Sequence, residues 1–410
     1  MKIRVAVVFG GKSTEHEISV ISAVQAMHAI NRDQYDVIPV YLTKENISYT
    51  GDALTDIATY QANLKDIPKQ CTRVDWVRED NGVVLMRHDR KKFGDNLVAG
   101  VDVAFPVVHG TNTEDGTLTG FLLTLGLPVA GCDVLASAVG MNKYVMKTVL
   151  NDNQIPVLPC ICFDWKDYEN AEDVLNRTEE HFRYPVVVKP LNLGSSIGIS
   201  KADNREELED ALELAFTFAK KILVEPAITE LKEVNCAVLG DYEEATASEC
   251  ESPLGSDEIL SFEDKYMSGG KGGTKGPAKG GGMKTAPAGA KGMSGAKGSG
   301  MASLTRKLPA DISPEKREEI RNLAVKAFRV LGCAGVSRID FMIDRADGDK
   351  VYFNEINTIP GSLSFYLWEA TGMSYPELLD RVIQIALKAD RENKKLTYSF
   401  ETNVLAGVRV

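Results

Sequence analysis

The sequence predicts an α/β protein that folds as two or three domains. The chain has 410 residues, which is more than a single hydrophobic core usually holds. Strand-like and helix-like runs also alternate from the start, with apolar residues at 5–9, an amphipathic stretch at 18–30 and an apolar run at 37–42. Further apolar runs at 101–108 and 121–125 continue this rhythm.

The composition excludes several classes of protein. Hydrophobic residues make up 44% of the chain and charged residues 26%, which are globular proportions. The net charge of −11 opposes binding to a polyphosphate backbone, so we expect no nucleic-acid partner. No apolar run reaches the roughly 20 residues of a membrane helix, and glycines interrupt the first apolar run too early for a signal peptide. The seven cysteines contain no CxxC pair, which favours free thiols and a cytoplasmic location.

Three units are predicted along the chain, at residues 1–140, 141–226 and 227–410. Within the third unit, the segment 268–300 contains 13 glycines, 6 lysines and no acidic residue. This composition cannot supply a hydrophobic core. We expect the segment to be a solvated loop or, alternatively, a cationic lid over an anionic ligand.

Two loops of the first unit follow apolar strands and carry ionisable side chains. Thr14 to Glu17 match the S/T-x-x-E capping box, which makes Glu17 a structural cap. Glu15 then lies in the first helical turn, as a surface carboxylate or as the ligand of a substrate ammonium. His109 begins the second loop at the same sheet edge, in a structural or a functional role. The first loop lacks both the G-x-G-x-x-G and the Walker A spacing, which disfavours dinucleotide binding.

The second unit contains a candidate phosphate-binding segment. Lys189 ends a strand-like run at 186–188, and the sequence Gly-Ser-Ser-Ile-Gly follows at 194–198. Small residues let backbone amides approach phosphate oxygens, and a lysine supplies a positive charge. A helix-like stretch at 206–220 and an apolar run at 222–224 complete this unit.

A helix and a hairpin in the third unit give the most specific pattern. Ser313 is a good N-cap, Pro314 suits the first helical position and Gly332 ends the helix. Two strands at 336–342 and 351–358 should then pair as a hairpin.

The hairpin brings acidic side chains together. If Asp347-Gly348 forms a two-residue turn, then Met342 faces Phe353, Asp340 faces Glu355 and Arg338 faces Asn357. Alternation also places Phe353, Glu355 and Asn357 on one face. Two facing carboxylates need a counter-charge, and an oxygen donor set with one amide suits Mg²⁺. A longer turn would shift the register, and Arg338 would then balance the acids without a metal.

Together, these segments resemble the D-alanine–D-alanine ligases of the ATP-grasp superfamily. The matching segments, in family order, are Glu15 to Ser19 after the glycine turn, HGTNTEDGTLTG from His109, VKPLNLGSSIG from Val188, Asp264-Lys265-Tyr266, Ser337 to Asp340, and NEINTIPG from Asn354. The resemblance implies a three-domain ATP-grasp architecture with an N-terminal open α/β domain. It also implies that ATP lies between the second and third domains and that the dipeptide site faces the first.

The resemblance implies roles for individual residues. The nucleotide set comprises Lys143 and Lys189 at the ATP phosphates, Lys265 at the γ-phosphate, Glu225 at adenine and Glu233 at ribose. The metal set comprises Asp340, Glu355 and Asn357, which would hold two Mg²⁺ ions, with Mn²⁺ as an alternative. The substrate set comprises Glu15 at the ammonium of the first D-alanine with His109 beside it, Tyr266 in a triad with Glu15 and Ser195, and Arg338 with the Gly361 amide at the oxyanion.

The implied reaction joins two D-alanine molecules through an acyl phosphate and supplies D-alanyl-D-alanine for peptidoglycan precursors. We also expect the enzyme to be a homodimer. Tyr266 resembles the dipeptide-forming type. The family pattern has a threonine two positions after the glycine and a serine five positions after it, and that serine contacts the second substrate's carboxylate. Here Ser362 or Ser364 would have to serve instead, so D-lactate, D-serine or another acceptor remains an alternative. A nucleotide-binding regulatory protein without turnover is an alternative of a different class.

Overall fold

The computed structural model describes residues 2–62, 64–194, 197–253 and 306–399, together with 403 and 408. Ser195, Lys265, Tyr266 and the segment 268–300 lie outside the described residues, so the roles expected of them stay predictions.

The first unit contains a seven-stranded mixed sheet. Its strands are β1 (Ile3–Gly10), β2 (Tyr35–Leu42), β3 (Ser48–Thr50), β4 (Thr72–Glu79), β5 (Gly82–Arg87), β6 (Leu97–Val101) and β7 (Val103–Pro106). The order across the sheet is β6-β5-β4-β3-β2-β1-β7, and β1 pairs in parallel with β2 and β7. Because parallel strands end at the same edge, the loops after β1 and β7 lie side by side, as predicted. The apolar run at 101–108 is not one strand, because the chain turns at Asp102, which accepts hydrogen bonds from Arg4.

Five α-helices belong to the described residues of this part of the chain. They are α1 (His16–Ala29), α2 (Ala58–Ala62), α3 (Ile67–Gln70), α4 (Thr117–Thr124) and α5 (Val134–Met141). The predicted capping box is wrong, since the N-cap residue of α1 is Glu15 and its side chain makes no capping hydrogen bond. The hydroxyl of Ser13 instead accepts a hydrogen bond from the Glu15 amide, and Glu17 pairs with Lys44 at 2.8 Å.

The second unit is an antiparallel four-stranded sheet with helices. Its strands, in the order β10-β9-β11-β8 across the sheet, are β8 (Ile161–Asp164), β9 (Val186–Pro190), β10 (Ser200–Ala202) and β11 (Lys221–Pro226). Its helices are α6 (Lys143–Asp152), α7 (Trp165–Tyr168), α8 (Ala171–His181) and α9 (Arg205–Phe218). Val186 and Val188 face an apolar core, so the alternation of strand β9 turns Lys189 to the opposite face.

The third unit contains a five-stranded antiparallel sheet. Its strands, in the order β14-β13-β12-β15-β16 across the sheet, are β12 (Leu231–Gly240), β13 (Ala245–Pro253), β14 (Arg306–Lys307), β15 (Gly335–Asp344) and β16 (Lys350–Asn357). Its helices are α10 (Pro314–Val330), α11 (Phe365–Glu369) and α12 (Tyr375–Asn393). The side chain of Ser313 caps α10 and Pro314 occupies its first turn, as predicted.

The β15–β16 hairpin corrects the predicted turn. Five residues, 345–349, connect the strands instead of two, which shifts the pairing near the turn by one residue. Met342 therefore faces Tyr352 and not Phe353. A β-bulge at Asn354 then shifts the pairing back, so that Asp340 faces Glu355 and Arg338 faces Asn357, as predicted.

The bulge also changes which side chains share a face. Phe353 is fully buried in the core and contacts the Phe341 ring, whereas Glu355 and Asn357 line the opposite face. The prediction that all three lie on one face is therefore wrong for Phe353. The extra residue reverses the alternation between positions 353 and 355.

The largest apolar cluster joins the two ends of the chain. Val5, Phe9 and Phe105 of the first sheet belong to the same cluster as Trp368 and Leu378. Residues that follow β16 are therefore held against the first unit, across the predicted boundary at residue 227. No helix within the described ranges is both long and apolar enough to cross a membrane.

Candidate active site

A cleft of about 630 Å³ receives side chains from all three units. The residues predicted for the site that line this cleft are Glu15, His109, Lys143, Lys189, Glu225, Glu233, Arg338, Asp340, Glu355, Asn357 and Gly361. Residues that are far apart in sequence thus lie around a single space. Among the described residues, Ser362 and Ser364 are the predicted site residues that do not line it.

The carboxylate of Glu15 lies at the N-terminal end of the cleft and is only 8% exposed. Glycines from two loops pack against it. A Cβ atom would lie 2.7 Å from Glu15 Oε2 at Gly110 and 3.1 Å from it at Gly194. Gly110 also has a φ of +79°, which favours glycine. A side chain at Gly110 would therefore displace this carboxylate, whereas one at Gly194 would need a shift of a few tenths of an ångström.

The imidazole of His109 is buried and both of its nitrogens are engaged. Nδ1 lies 2.8 Å from the Ile359 carbonyl oxygen, so Nδ1 carries the proton and donates. Nε2 then accepts from the Ser22 hydroxyl at 2.9 Å, and Ser22 Oγ accepts from the Ser362 amide at 2.9 Å. Burial lowers the pKa of His109 to about 4. The ring is therefore a neutral structural link between the loop after β7 and the segment after β16.

Glu114 is a second acid at this end that sequence reasoning missed. Its carboxylate accepts from the amides of Gly110 at 3.0 Å and Ile359 at 3.0 Å. Burial and the nearby Glu15 raise the pKa of Glu114 to about 7. The signal was present in the HGTNTEDG segment, where this glutamate follows the histidine by five residues.

A buried triad of two lysines and one glutamate lies in the second unit. Lys189 Nζ is 2.5 Å from Glu225 Oε1 and donates to Asn354 Oδ1 at 3.1 Å. Lys147 Nζ donates to the other oxygen of Glu225 and to the Leu158 carbonyl at 3.2 Å. Burial alone would raise the pKa of Glu225, but the two lysines hold it at about 2. Glu225 is therefore a permanent carboxylate that fixes both ammonium groups.

Lys147 was missed from the sequence, although its spacing offered a signal. It follows Lys143 by four residues on α6, so both lysines lie on one helix face. Lys143 Nζ donates to the Leu193 carbonyl at 2.7 Å and lies 3.6 Å from Glu355 Oε2. The helix therefore links the loop after β9 to the acidic hairpin.

The acidic hairpin is balanced by protein cations. The guanidinium of Arg338 donates to both oxygens of Asp340, at 2.7 and 2.8 Å. Asn357 Nδ2 donates to Asp340 Oδ2 at 3.3 Å. The longer turn and the pairing of Arg338 with Asp340 are the features expected if Arg338 balances the acids without a metal. The bulge at Asn354 nevertheless keeps Asp340 opposite Glu355, as the metal-binding alternative requires.

The hydroxyls of Ser362 and Ser364 are buried and have no hydrogen-bond partner among the described residues. Their backbones and that of Leu363 between them have φ values of +50 to +52°, which is a strained run for residues with side chains. The structure therefore does not bring either hydroxyl to the cleft. Tyr366, five positions after Gly361, lies instead beside Arg306 and Glu251.

Comparison with known proteins decides the family. A family model described as the D-ala D-ala ligase N-terminus matches residues 4–132, and one described as the D-ala D-ala ligase C-terminus matches 149–280 and 296–384. The chain belongs to the D-alanine–D-alanine ligase family. The predicted recognition and the predicted class of ATP-dependent ligase are thereby confirmed.

Relatives in this family match nearly the whole chain. A D-alanine–D-alanine ligase of Thermosipho melanesiensis is 34% identical over 98% of this chain and 98% of its own. A D-alanine–D-alanine ligase of Acetivibrio thermocellus is 37% identical over 96% of this chain and 98% of its own.

Solved structures agree with the predicted fold. The D-alanine-D-alanine ligase from Coxiella burnetii superposes with a TM-score of 0.74 at 27% identity, covering 96% of each chain. The VanG D-Ala:D-Ser ligase from Enterococcus faecalis superposes with a TM-score of 0.72 at 28% identity, covering 94% of this chain and all of its own. The mixed α/β architecture of the D-alanine–D-alanine ligases is therefore confirmed.

Proposed function

We propose that the cleft catalyses the ATP-dependent joining of two D-alanine molecules to D-alanyl-D-alanine. The observation that supports this proposal is the shared cleft, which is lined by two buried lysines for phosphates, two facing carboxylates, an arginine and a glycine. The first D-alanine carboxylate attacks the γ-phosphorus of ATP, and ADP leaves. The amine of the second D-alanine then attacks the acyl phosphate carbon, phosphate leaves, and the amine loses a proton.

At the nucleotide end, Lys143 and Lys189 bind the phosphates, Glu225 and the following backbone contact adenine, and Glu233 binds ribose. Lys189 supports this assignment because Glu225 and Asn354 hold its ammonium group in a fixed position. A fixed cation stabilises the transferring phosphoryl group without reorganising during the reaction.

The hairpin suits a hard divalent cation. Asp340 and Glu355 are paired across adjacent strands, and Asn357 adds an amide oxygen, which is the oxygen donor set that Mg²⁺ prefers. We infer that these three residues hold two Mg²⁺ ions, with Mn²⁺ as an alternative. When bound, the ions neutralise charge on the phosphates. Arg338 donates a hydrogen bond to Asp340 of this set at 2.7 Å. We assign Arg338 and the Gly361 amide, which line the same cleft, to the oxyanion of the tetrahedral intermediate.

At the substrate end, Glu15 binds the ammonium of the first D-alanine. Its enclosure by Gly110 and Gly194 supports this role, because a small pocket around a carboxylate favours a compact cation. His109 orients the wall of this pocket through Ser22 and Ile359 and does not exchange protons near neutral pH, since its pKa is about 4.

A D-serine acceptor is the alternative that a specific observation favours. The similar structure from Enterococcus faecalis is a D-Ala:D-Ser ligase, and the residues after Gly361 depart from the pattern with a serine five positions on. We place the reaction in the cytoplasm, where ATP is available, and expect a homodimer. Sedimentation velocity of the full chain tests that assembly.

Phosphate release with D-alanine alone, D-alanine with D-serine, and D-alanine with D-lactate tests the proposal, with products identified by mass spectrometry at several pH values. We expect ADP release that depends on D-alanine and D-alanyl-D-alanine as the main product. ATP binding without D-alanine-dependent ADP release would indicate a regulatory protein and defeat the proposal.

A further inference from the structure

A second polar cluster lines the cleft beside Arg338. It consists of Asn235, Glu251, Arg306 and Tyr366, and the first three of these line the cleft. Glu251, Asn235, Asp340 and Glu355 occupy successive positions across strands β13, β12, β15 and β16. The cluster therefore continues the acidic row of the hairpin towards the strand that carries Arg306.

Glu251 holds the guanidinium of Arg306 in place. Arg306 Nη1 donates to Glu251 Oε2 at 2.7 Å. The other carboxylate oxygen, Oε1, accepts from Asn235 Nδ2 and from the Tyr366 hydroxyl, both at 3.2 Å. Burial and Glu251 raise the pKa of Tyr366 to about 12, so its hydroxyl stays a neutral donor.

Tyr366 supports the same guanidinium from one face. The Arg306 Cζ atom lies 3.8 Å from the centre of the Tyr366 ring, which is a close cation–π contact. A guanidinium has five N–H donors in one plane, and the contact with Glu251 through Nη1 is one of the interactions that Arg306 makes. The stacking and the ion pair together fix the plane of the group at the wall of the cleft.

The roles assigned above leave the acceptor's carboxylate without a cationic partner among the described residues. The acceptor's carboxylate takes no part in bond making and remains in the product. The cations among the described residues that line the cleft are Lys143, Lys189, Lys201, Arg306 and Arg338. Lys143 and Lys189 are assigned to phosphates and Arg338 to the oxyanion. Of the two cations that remain, Lys201 and its partner Asp203 have side chains that are 49% and 58% exposed, whereas those of Arg306 and Glu251 are 11% and 3% exposed.

We propose that Arg306 binds the carboxylate of the acceptor amino acid, with Glu251 and Tyr366 as its positioning residues. This inference rests on the proposed function. In the family pattern, a serine five positions after Gly361 contacts the acceptor's carboxylate. Here Tyr366 occupies that position and its ring packs against Arg306, so the inference assigns the contact with the carboxylate to Arg306. Planar arginine matches carboxylate geometry with two parallel hydrogen bonds.

The test compares two acceptors that differ only in charge. D-alaninamide has no carboxylate to phosphorylate, so with D-alanine as donor it reacts only as an acceptor. Equal concentrations of D-alanine and D-alaninamide are supplied with ATP, and the ratio of D-alanyl-D-alanine to D-alanyl-D-alaninamide is measured by mass spectrometry. We expect Arg306→Met to lower this ratio by about 10- to 100-fold, and Arg306→Lys to lower it less, because the charge remains.

The controls separate substrate binding from folding. Lys307→Met removes an exposed cation from the adjacent position, which pairs with Asp311, and should keep the wild-type ratio. Arg306→Met leaves Glu251 without its cation, so the double variant Glu251→Gln/Arg306→Gln removes both charges and should show the same loss of selectivity. An unchanged ratio in folded Arg306→Met, or in the double variant if the single one does not fold, would overturn the inference.

Hydroxylamine distinguishes this failure from failure of the proposed function. It is a neutral nucleophile that attacks the acyl phosphate carbon and displaces phosphate, so D-alanyl hydroxamate reports the first step without an amino-acid acceptor. Wild-type protein that forms neither hydroxamate nor ADP would refute the proposed function. Hydroxamate formation with an acid-to-amide ratio that does not depend on Arg306 would refute this inference alone.

Discussion

The two ends of the cleft hold their polar side chains by different means. At the N-terminal end, His109 and Glu114 bond to backbone groups of the segment that follows β16. Along the second and third sheets, Lys189 and Arg338 are held by the carboxylates of other side chains. Backbone groups are uncharged and do not compete with a charged ligand, whereas a side chain in an ion pair can exchange its partner for a charged ligand. We therefore expect the first end to set shape and the second to carry the chemistry.

The largest effect should follow from removing an acid of the hairpin. We expect Glu355→Ala to keep the fold, because this residue faces the cleft and not the core, and to reduce D-alanine-dependent ADP release by roughly 1,000-fold or more. Circular dichroism and the ADP assay check both parts. Asp347→Ala, in the exposed turn of the same hairpin, is the matched control. Turnover near the wild-type rate in Glu355→Ala would refute the metal assignment.

A large loss of stability should follow from neutralising Glu225. Glu225→Gln leaves the buried ammonium groups of Lys147 and Lys189 without their carboxylate. We expect the free energy of unfolding at pH 7 to fall by about 3–5 kcal/mol, measured by urea denaturation. The pKa of Glu225 is lowered from 4.5 to about 2, so its stabilisation is present above about pH 4.5 and is lost as the pH falls towards 2. A variant whose loss is the same at pH 2 and pH 7 would contradict this origin.

A smaller loss should follow from breaking the hydrogen-bond chain at the N-terminal end. Ser22→Ala removes the donor to His109 and the acceptor for the Ser362 amide. Because both groups are buried, we expect a loss of about 1–3 kcal/mol in the free energy of unfolding. Ser364→Ala removes a buried hydroxyl that has no hydrogen-bond partner in the described part of the chain and should be close to neutral. Equal losses in the two variants would show that the chain through Ser22 does not stabilise this end.

The smallest effect concerns the protonation of Glu114. Burial and Glu15 raise the pKa of Glu114 from 4.5 to about 7. Between about pH 4.5 and 7 the carboxyl of Glu114 is therefore protonated in the folded state and ionised in the unfolded state, so the stability of the wild type falls as the pH rises through this range. Glu114→Gln cannot ionise. We therefore expect the stability of this variant relative to wild type to increase between about pH 4.5 and 7, measured by thermal unfolding. A difference that does not change with pH would show that Glu114 is ionised throughout.

The predicted pairing of the hairpin strands is correct at Asp340 and Glu355 because two deviations from the prediction cancel. The alternation of residues 336–342 indicated a strand with Arg338 and Asp340 on one face, and this held. The predicted two-residue turn was wrong, yet the bulge at Asn354 restored the pairing of Asp340 with Glu355. No local signal marked this bulge, because an extra residue in a strand is accommodated by twist and by contacts of the neighbouring sheet.

Partners from distant parts of the chain were harder to predict. Lys147 was detectable by its spacing from Lys143 on a helix, but Glu251 and Arg306 are 55 residues apart and neither belongs to a recognisable motif. The capping box at Thr14 to Glu17 failed because the helix begins with Glu15 as its N-cap residue. A local pattern lists which groups are available, and the packing around it decides which of them meet.

The sequence by itself determined the family, the order of the motifs and the alternation that turns Asp340 and Glu355 to one face, because these depend on neighbours along the chain. Only the tertiary structure decided which charges are paired, that His109 is neutral, and that Tyr366 supports Arg306 at the cleft. The physical reason is that the charge and the pKa of a buried group depend on the groups around it in space, and those come from strands and loops that are distant in sequence, by 250 residues in the case of His109 and Ile359.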